Sequence, residues 1–265
     1  MIVAFVSLSL PCPVQAQWSK IYKAYKIAKG AYKAYKAYTI TDEEFLEYAN
    51  DAVKAMDAQN LVCKSNNKYS IRLAKITKGL TSIDGRKLNY KVYYDQKTAN
   101  AFACPDGSVR VYSKLMDIMT DEEILGVICH EIGHVACQHS LKEYKEALLA
   151  SATRDGLSAY DGTLGELAEG TLGELAEYMV NAKYSRVQET EADTYGYDFL
   201  KSHGKNPWYL SMALQKLQNL HKGSEGGKYV RAVSTMFSSH PDIAKRVQRL
   251  GEKAQKDGFK KPSSK

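Results

Sequence analysis

The amino-acid sequence predicts an α+β domain that is mostly helical and carries a small β-sheet. Two threonines, Thr41 and Thr120, are each followed three residues later by glutamate, and these capping boxes each open an apolar-faced helix. Between the two helices, residues 88–94 alternate apolar and polar side chains, and residues 109–112 form a second strand pattern after a Pro-Asp-Gly turn. With 44% hydrophobic and 25% charged residues, the 265-residue chain suits one good-sized globular domain.

The first 16 residues are predicted to be a secretory signal peptide. Ile2–Leu10 is apolar, two prolines follow, and Val14 and Ala16 are spaced like a signal-peptidase site, so the mature chain is expected to begin at Gln17. A buried first helix is the alternative, but prolines break helices and the apolar run is too short to span a bilayer. Cys12 is interpreted as part of the removed peptide. We therefore expect an exported protein.

Residues 17–40 form a basic arm in which Ala-Tyr-Lys recurs. The arm holds six lysines and no acidic residue, so it accounts for most of the net charge of +7. On a helical wheel Lys26, Lys29, Lys33 and Lys36 share one side, alanines the other, with tyrosines between. Such a helix either lies on an anionic membrane surface, lysines outward, or is a solvated leader. Because the charge excess is confined to the arm, no nucleic-acid partner is expected.

The remaining chain, residues 41–254, is predicted to be one domain followed by a disordered basic tail, 255–265. Helical patterns cover residues 41–60, 65–80, 120–139, 178–203, 207–222 and 241–254. Residues 162–177 repeat the octapeptide GTLGELAE, whose four glycines make a helix marginal. This segment is interpreted as either a mobile flap within residues 151–177 or a low-complexity spacer.

Four cysteines, Cys63, Cys104, Cys129 and Cys137, can form disulfides if the protein is exported. A helix separates Cys129 from Cys137 by about 12 Å along its axis, too far for a bridge. Cys63 and Cys104 would then each pair with a helix cysteine, or some cysteines remain free.

The segment VICHEIGHVACQH, residues 127–139, is rich in side chains that bind metals. His130 and His134 are four residues apart, so on a helix their imidazoles converge on one ion. Glu131 projects beside them and can act as a general base toward water. The pattern His-Glu-x-x-His therefore predicts a zinc hydrolase.

Two neighbours of this motif are weaker candidates. His139 falls about 180° around a continuous helix from His130, so it is expected to be a surface histidine. Cys137 lies near the histidine face, which leaves a thiolate ligand possible, although a buried or disulfide-bonded cysteine is commoner.

A third protein ligand must come from elsewhere, because a catalytic zinc keeps three protein ligands and one open position. In SRVQETEADTYGYDF, Glu189 and Asp193 are one turn apart on one helix face, whereas Glu191 points the other way. Small residues on this helix and on the histidine helix would let the two approach closely: Ala192, Gly196, Gly126 and Gly133. A solvated acidic face is the alternative interpretation.

His130-Glu-Ile-Gly-His134 followed by Glu189-x-Glu-Ala-Asp193 resembles the HtpX and CAAX-prenyl-protease-like zinc metallopeptidases, closest to their exported single-domain bacterial members. The resemblance implies a zincin-like fold with a small antiparallel sheet whose edge strand precedes the HExxH helix. It also implies one zinc ion per chain on His130, His134 and Glu189, with Glu131 as base and Asp193 orienting a zinc histidine. No intramembrane helices of the HtpX kind are seen in the sequence, so we expect a soluble or peripheral relative in the periplasm or at the outer-membrane periphery.

The segment SSHPDIAKRVQRL resembles the family's His-Pro…Arg region and makes His240 and Arg246 candidate catalytic residues. His240 would approach the zinc either as a transition-state donor or as an inhibitory ligand, and Arg246 would support the oxyanion. A His-Pro pair is otherwise common as a cap at a helix start.

These observations predict a zinc metalloendopeptidase acting on unfolded or misfolded envelope proteins, with envelope assembly components as further partners. An extended substrate would pair with the strand Ser108, Val109, Arg110, Val111 and Tyr112. One rival is a zinc-stabilised periplasmic chaperone with little proteolysis. Another is a structural zinc site in which Cys137 or His240 fills the fourth position.

Overall fold

The structure is a computed structural model that describes residues 13–161, 179–180, 183–223 and 227–263, with side chains left out for residues 13–19 and 155–161. The chain divides into two compact units, Met1–Ile40 with Tyr144–Leu167, and Thr41–Glu143 with Ala168–Lys265. Most of the predicted signal peptide, including Cys12, and the repeated octapeptide of the predicted flap lie outside the described residues.

The first unit contains α1 (Pro13–Thr39) and most of α6 (His139–Asp161). In α1, Lys26 is buried on the same side as Gly30 and Ala37, and Lys33 Nζ donates a hydrogen bond to Ser151 Oγ at 2.6 Å. The expectation that the lysines face outward is therefore wrong for Lys26, because the small side chains beside it allow that face to pack. Among the described side chains of α1, the exposed large hydrophobic ones are Ile21, Tyr22, Tyr25, Ile27, Tyr32, Tyr35 and Tyr38.

The second unit contains the other helices that the structure describes. They are α2 (Asp42–Gln59), α3 (Lys68–Ile76), α4 (Ser113–Ile118), α5 (Asp121–Ala136), α7 (Arg186–Ser202), α8 (Trp208–His221), α9 (Val230–Ser239) and α10 (Ile243–Lys256). Both predicted capping boxes are confirmed, since Thr41 and Thr120 each accept a hydrogen bond from the backbone N–H of the glutamate three residues on. The helix predicted over residues 178–203 is interrupted at residues 183–185, and α7 starts after Ser185, which forms a third capping box.

A hairpin and a mixed sheet complete the second unit. The hairpin pairs β1 (Ser82–Ile83) with β2 (Arg86–Lys87) across the turn at Asp84-Gly85. The sheet has the order β3 (Asn89–Tyr93), β5 (Ser108–Tyr112), β4 (Ala101–Ala103), with β5 parallel to β3 and antiparallel to β4. The α+β class, mostly helical, is confirmed. The expected antiparallel sheet is instead mixed, because β3 runs parallel to β5.

The strand order changes the expected place of the substrate. Ser108–Tyr112 was expected at the sheet edge, but it is the central strand, because β4 takes the side of β5 that β3 leaves open. Its residues Ser108, Val109, Arg110, Val111 and Tyr112 are all buried, and both backbone edges are paired. An extended substrate therefore cannot add to this strand.

Most of α5 is buried in the hydrophobic core. Ile124, Ile128 and Ile132 are fully buried, and the helix packs against α7, α8 and β4. The four cysteines Cys63, Cys104, Cys129 and Cys137 are free thiols, which corresponds to the reduced alternative of the sequence analysis. None of the described helices combines the length and the apolarity needed to cross a membrane.

The C-terminal tail is ordered further than expected. α10 continues to Lys256, and the segment after it returns to the start of α8. There Trp208 Nε1 donates to the Phe259 carbonyl at 2.9 Å, and Asn206 Nδ2 donates to the Lys260 carbonyl at 2.8 Å. The prediction that the chain is disordered from residue 255 is therefore wrong for these residues. The segment is rich in lysine, but Phe259 packs against the hydrophobic core.

Candidate active site

The two motif histidines meet because α5 is regular where they lie. His130 and His134 are one turn apart, both are buried, and their Nε2 atoms are 3.0 Å apart. Burial lowers the pKa of His134 well below its ordinary value, against the opposing effect of Glu189. His134 is therefore neutral at physiological pH, the form in which an imidazole binds a metal.

The predicted second helix, α7, brings its acidic face to α5. The approach depends on glycine: a Cβ on Gly133 would lie 2.4 Å from the Ala192 carbonyl oxygen, and one on Gly196 would lie 2.8 Å from the Cys129 carbonyl oxygen. Gly126, also expected at this contact, instead faces the Tyr209 carbonyl at the start of α8. Two backbones this close allow a short carboxylate side chain to reach the histidines.

Glu189 reaches both histidines. Its Oε1 lies 3.2 Å from His134 Nε2, its Oε2 lies 3.7 Å from His130 Nε2, and it is 1% exposed. Burial acts to raise the pKa of Glu189, but the charges and hydrogen bonds of the surrounding histidines outweigh it and hold the pKa far below its usual range. The carboxylate is therefore ionised and available as a ligand.

His240 lies against the same carboxylate. It caps the end of α9, and its Nδ1 is 2.9 Å from Glu189 Oε1. One ligand atom from each of His130, His134, Glu189 and His240 falls within 4.8 Å of the others. Burial acts to lower the pKa of His240, but Glu189 overcomes this and raises it.

Asp193 and Arg246 form a buried ion pair behind the histidines. Asp193 Oδ1 is 3.1 Å from His130 Nδ1, so Asp193 contacts the ring nitrogen of His130 that faces away from the ligand cluster. Arg246 donates to Asp193 from Nε at 2.9 Å and from Nη2 at 2.7 Å, and its Nη1 donates to Glu189 Oε2. All three guanidinium nitrogens are thus engaged by carboxylates. This differs from the predicted oxyanion role and makes Arg246 a residue that positions Glu189.

Glu131 lies beside the cluster in an apolar wall. Leu210, Leu214 and Met236 line a small pocket against it, and burial raises the pKa of its carboxyl group. Among the described residues no hydrogen-bond donor reaches Glu131 Oε1, and His240 Nε2 is 3.6 Å from it. An unpartnered buried carboxylate oxygen is costly, and it fits a group whose partner is a water or substrate atom.

His139 lies at the site, which corrects its interpretation as a surface histidine. α5 ends at Ala136, and Gln138 has a positive φ of 54°. The helix therefore does not continue to residue 139, as the prediction for His139 had assumed. The chain turns, and α6 starts with His139 fully buried, its Nδ1 2.8 Å from His134 Nδ1. No short-range pattern in the sequence indicates this turn.

Tyr184 is a second residue that the sequence analysis missed. Its ring stacks on that of His134 with 3.7 Å between centroids and 20° between planes. Its backbone N–H donates to the Ser239 carbonyl at 3.3 Å, next to His240. Tyr184 therefore closes one side of the histidine cluster. Cys137, the alternative ligand, is not part of the cluster.

The cluster fits a metal ion by the chemistry of its donors. Two imidazoles and an ionised carboxylate, buried and converging, are the ligand types of catalytic zinc sites. The unpartnered Glu131 oxygen lies where a general base for such a site is needed. A helix with two histidines and a glutamate base, joined by a carboxylate from a second helix, defines a metal-dependent peptidase.

Comparison with known proteins places this metallopeptidase in a family. The model of peptidase family M48 matches residues 72–254, and the chain belongs to that family. It is 38% identical over 223 residues to the metalloprotease LoiP of Escherichia coli, covering 84% of this chain and 85% of LoiP. It is 42% identical over 216 residues to the metalloprotease YcaL of the same organism, covering 81% of this chain and 82% of YcaL.

A more distant relative confirms the wider resemblance. A protease HtpX homologue of Thermococcus sibiricus is 28% identical over 223 residues, covering 71% of this chain and 75% of that protein. The predicted relationship to the HtpX-like metallopeptidases is therefore confirmed, and the protein is a metalloprotease.

Proposed function

We propose that the protein is a zinc metalloendopeptidase that hydrolyses unfolded or misfolded polypeptides in the bacterial cell envelope. The observation that carries the proposal is the buried cluster of His130, His134 and Glu189 beside an unpartnered oxygen of Glu131. His130, His134 and Glu189 would hold one zinc ion per chain. When bound, zinc supplies Lewis acidity toward the carbonyl that is attacked.

Glu131 performs the proton transfers. Its carboxylate accepts a proton from the attacking water at Oε1 and later donates it to the leaving amine, which restores the base. Burial raises its pKa, which makes it a stronger base than an exposed glutamate. Arg246 donates to Glu189 Oε2 while Oε1 lies 3.2 Å from His134 Nε2, so the arginine fixes the orientation of the carboxylate.

Two roles fit His240. Its Nδ1 belongs to the group of converging ligand atoms, so it can fill the fourth position and block the resting enzyme. Its proximity to Glu131 also suits a donor to the oxyanion that forms from the carbonyl. His240→Ala separates them: faster cleavage with zinc retained shows a blocking ligand, and slower cleavage with zinc retained shows a donor.

Among the described strands β4 is an edge strand, and this position supports an extended substrate. The Asn100 carbonyl and the Cys104 N–H pair with β5, so the backbone groups of Ala101 and Ala103 face away from β5. β4 also contacts α5, which carries the histidines. We place the substrate along β4, in place of the Ser108–Tyr112 strand. Backbone pairing of this kind favours unfolded chains over one sequence.

The envelope location rests on the sequence of the first 16 residues, which has the apolar run and small-residue site of a signal peptide. Envelope assembly components would then be among the proteins it meets. Fractionation of cells expressing the tagged chain tests this, since a cytoplasmic product would exclude the location.

Contact with an anionic membrane surface through α1 is supported by its exposed tyrosines and its lysine-rich composition. Tyr32 and Tyr35 are 62% and 64% exposed, and tyrosine is favoured at membrane interfaces. Co-sedimentation with phosphatidylglycerol vesicles should exceed that with phosphatidylcholine vesicles, and Tyr32→Ser with Tyr35→Ser should reduce it. Equal sedimentation with both lipids would exclude the electrostatic part of the contact.

Glu131→Gln tests the enzyme against its rival, a zinc-stabilised chaperone. The variant keeps the shape of the side chain and removes the base. Wild type should degrade an unfolded casein substrate, and the variant should lose about 10²–10⁴-fold in rate while retaining zinc. Glu122→Gln, on the first turn of the same helix, is the matched control. Full degradation by Glu131→Gln overturns the mechanism, and a wild type that only suppresses aggregation supports the chaperone.

A further inference from the structure

We propose that His139 and Glu191 form a positioning pair that fixes the metal ligand His134 in one tautomer and one orientation. The inference rests on the proposed zinc site and adds two residues to it. Glu191 was expected to point away from the site, and His139 was expected on the surface. The structure connects both residues to His134.

His134, His139 and Glu191 are connected by two successive polar contacts. His134 Nδ1 is 2.8 Å from His139 Nδ1, and His139 Nε2 is 2.9 Å from Glu191 Oε2. The two rings meet edge to face, with 5.0 Å between centroids and 68° between planes. His139 is 0% exposed, whereas the Glu191 side chain is 47% exposed. This series of contacts therefore runs from a buried ligand, His134, to the exposed surface of α7.

A single arrangement of protons satisfies these contacts. His134 Nε2 faces Glu189 and His130 in the ligand cluster, so it must be unprotonated to bind a metal. Its proton then lies on Nδ1, which donates to His139 Nδ1. His139 must in turn carry its proton on Nε2, which donates to the Glu191 carboxylate. Glu191 thus determines the tautomer of His139, and His139 that of His134.

The His139–Glu191 pair corresponds to the carboxylate that contacts the other histidine ligand, His130. His130 Nδ1 contacts the Asp193 carboxylate directly at 3.1 Å, and Asp193 is on the same helix as Glu191. α7 thus supplies a carboxylate for each ligand histidine, directly for His130 and through an imidazole for His134. Partners of this kind orient metal ligands and raise their basicity.

Zinc affinity of the full-length chain is the direct readout, measured by competition with a chromogenic chelator. His139→Leu removes the acceptor, and Glu191→Ala removes the carboxylate from a half-exposed position that the fold does not need. Both should weaken zinc binding by about 10–100-fold. His139→Asn places a carbonyl oxygen near the Nδ1 position and should recover most of the affinity, which a purely structural role would not produce.

Asp198→Ala is the matched control, since Asp198 is also exposed on α7 and pairs only with Lys253 in the described contacts. It should bind zinc as wild type does. The cobalt-substituted wild type and Asp198→Ala should share one visible absorption spectrum, with a changed spectrum for Glu191→Ala. If Glu191→Ala and Asp198→Ala bind zinc equally, the pair has no positioning role, whether or not His139→Leu folds.

The outcomes also separate this inference from the proposed function. Equal zinc binding by all variants, with casein cleaved by wild type, overturns the inference alone. Tight zinc binding by wild type that is weakened in Glu191→Ala, without cleavage of any unfolded substrate, overturns the peptidase proposal and supports the inference.

Discussion

Asp193 accepts a hydrogen bond from His130 at the ring nitrogen opposite the ligand cluster, with 3.1 Å between Asp193 Oδ1 and His130 Nδ1. A carboxylate at Nδ1 favours the tautomer with its proton on that nitrogen, and Nε2 is directed toward Glu189, 3.7 Å from Oε2. Burial acts to raise the pKa of Asp193, but Arg246 and His130 hold it below its usual range. The aspartate is therefore charged, and we expect it to fix the tautomer of His130, a proposed metal ligand.

Asp193→Asn should weaken zinc binding by about 10–100-fold. The amide keeps the size of the side chain but loses the charge that balances Arg246, so the ring of His130 is held less firmly. Chelator competition measures the change, with Asp198→Asn as the exposed control on the same helix. Unchanged affinity in Asp193→Asn would show that His130 does not depend on this contact.

Glu189→Ala should lose more zinc affinity than Asp193→Asn, because it removes a ligand and also leaves Arg246 without one of its two carboxylates. We expect a loss above the roughly 100-fold typical of residues that only support a ligand. Isothermal titration with zinc measures it, and Glu252→Ala on the exposed face of α10 serves as the control. A zinc affinity like that of wild type would remove Glu189 from the ligand set.

Gly133→Ala should separate α5 from α7. Its Cβ would lie 2.4 Å from the Ala192 carbonyl oxygen, which belongs to the backbone and cannot rotate away. The free energy of unfolding should fall by about 1–3 kcal/mol, and zinc affinity should fall with it. Gly251→Ala is the comparison, since its new methyl group meets only side-chain atoms, the Trp208 ring at 3.1 Å and Ser211 Oγ at 3.7 Å. Urea denaturation giving equal losses for the two variants would contradict the close-packing account.

Asp57→Asn should destabilise the fold without touching the active site. Asp57 accepts hydrogen bonds from Arg110 Nε at 2.8 Å, Lys91 Nζ at 2.8 Å and Tyr93 Oη at 2.8 Å, and Arg110 is 1% exposed. Asp57 is partly exposed, but its loss leaves the buried Arg110 charge without its partner, which should cost about 1–3 kcal/mol. Urea denaturation at pH 7 measures this loss, with the exposed Asp51→Asn on the same helix as control.

The same variant has a defined pH dependence. Burial acts to raise the pKa of Asp57, but the bonds from Arg110, Lys91 and Tyr93 outweigh it and lower the pKa. A carboxyl group with a depressed folded-state pKa stabilises the fold above its unfolded pKa of about 3.9, and the stabilisation is lost as the pH falls further. The stability gap between wild type and Asp57→Asn should therefore narrow below about pH 4. A gap that is constant down to pH 3 would show that Asp57 does not titrate in this way.

The part of the site that lies in the HExxH motif was predictable, because its geometry depends only on residues close together in the sequence. Residues four apart on a capped helix converge, and this holds for His130 and His134. Glu189 was also within reach of sequence reasoning, since small residues on two helices indicated a close approach. The structure brings these residues together through Gly133 and Gly196.

The rest depends on turns and long-range pairings that have no local pattern. Gln138 at φ 54° ends the regularity on which the position of His139 was extrapolated. Arg110 looked like part of a substrate strand because its partner, Asp57, lies on a helix far away in sequence. The central position of Ser108–Tyr112 follows from β4 crossing to the far side of the sheet, which alternation along one strand does not reveal.

X-ray absorption at the zinc edge, on the full chain loaded with one equivalent of zinc, tests the central claim most directly. A site formed by His130, His134 and Glu189 predicts nitrogen and oxygen scatterers at about 2.0–2.1 Å, with the outer-shell signal of two or three imidazoles and no sulfur. A sulfur scatterer at about 2.3 Å, which would place Cys137 on the metal, or a shell without imidazole would contradict the two-helix site.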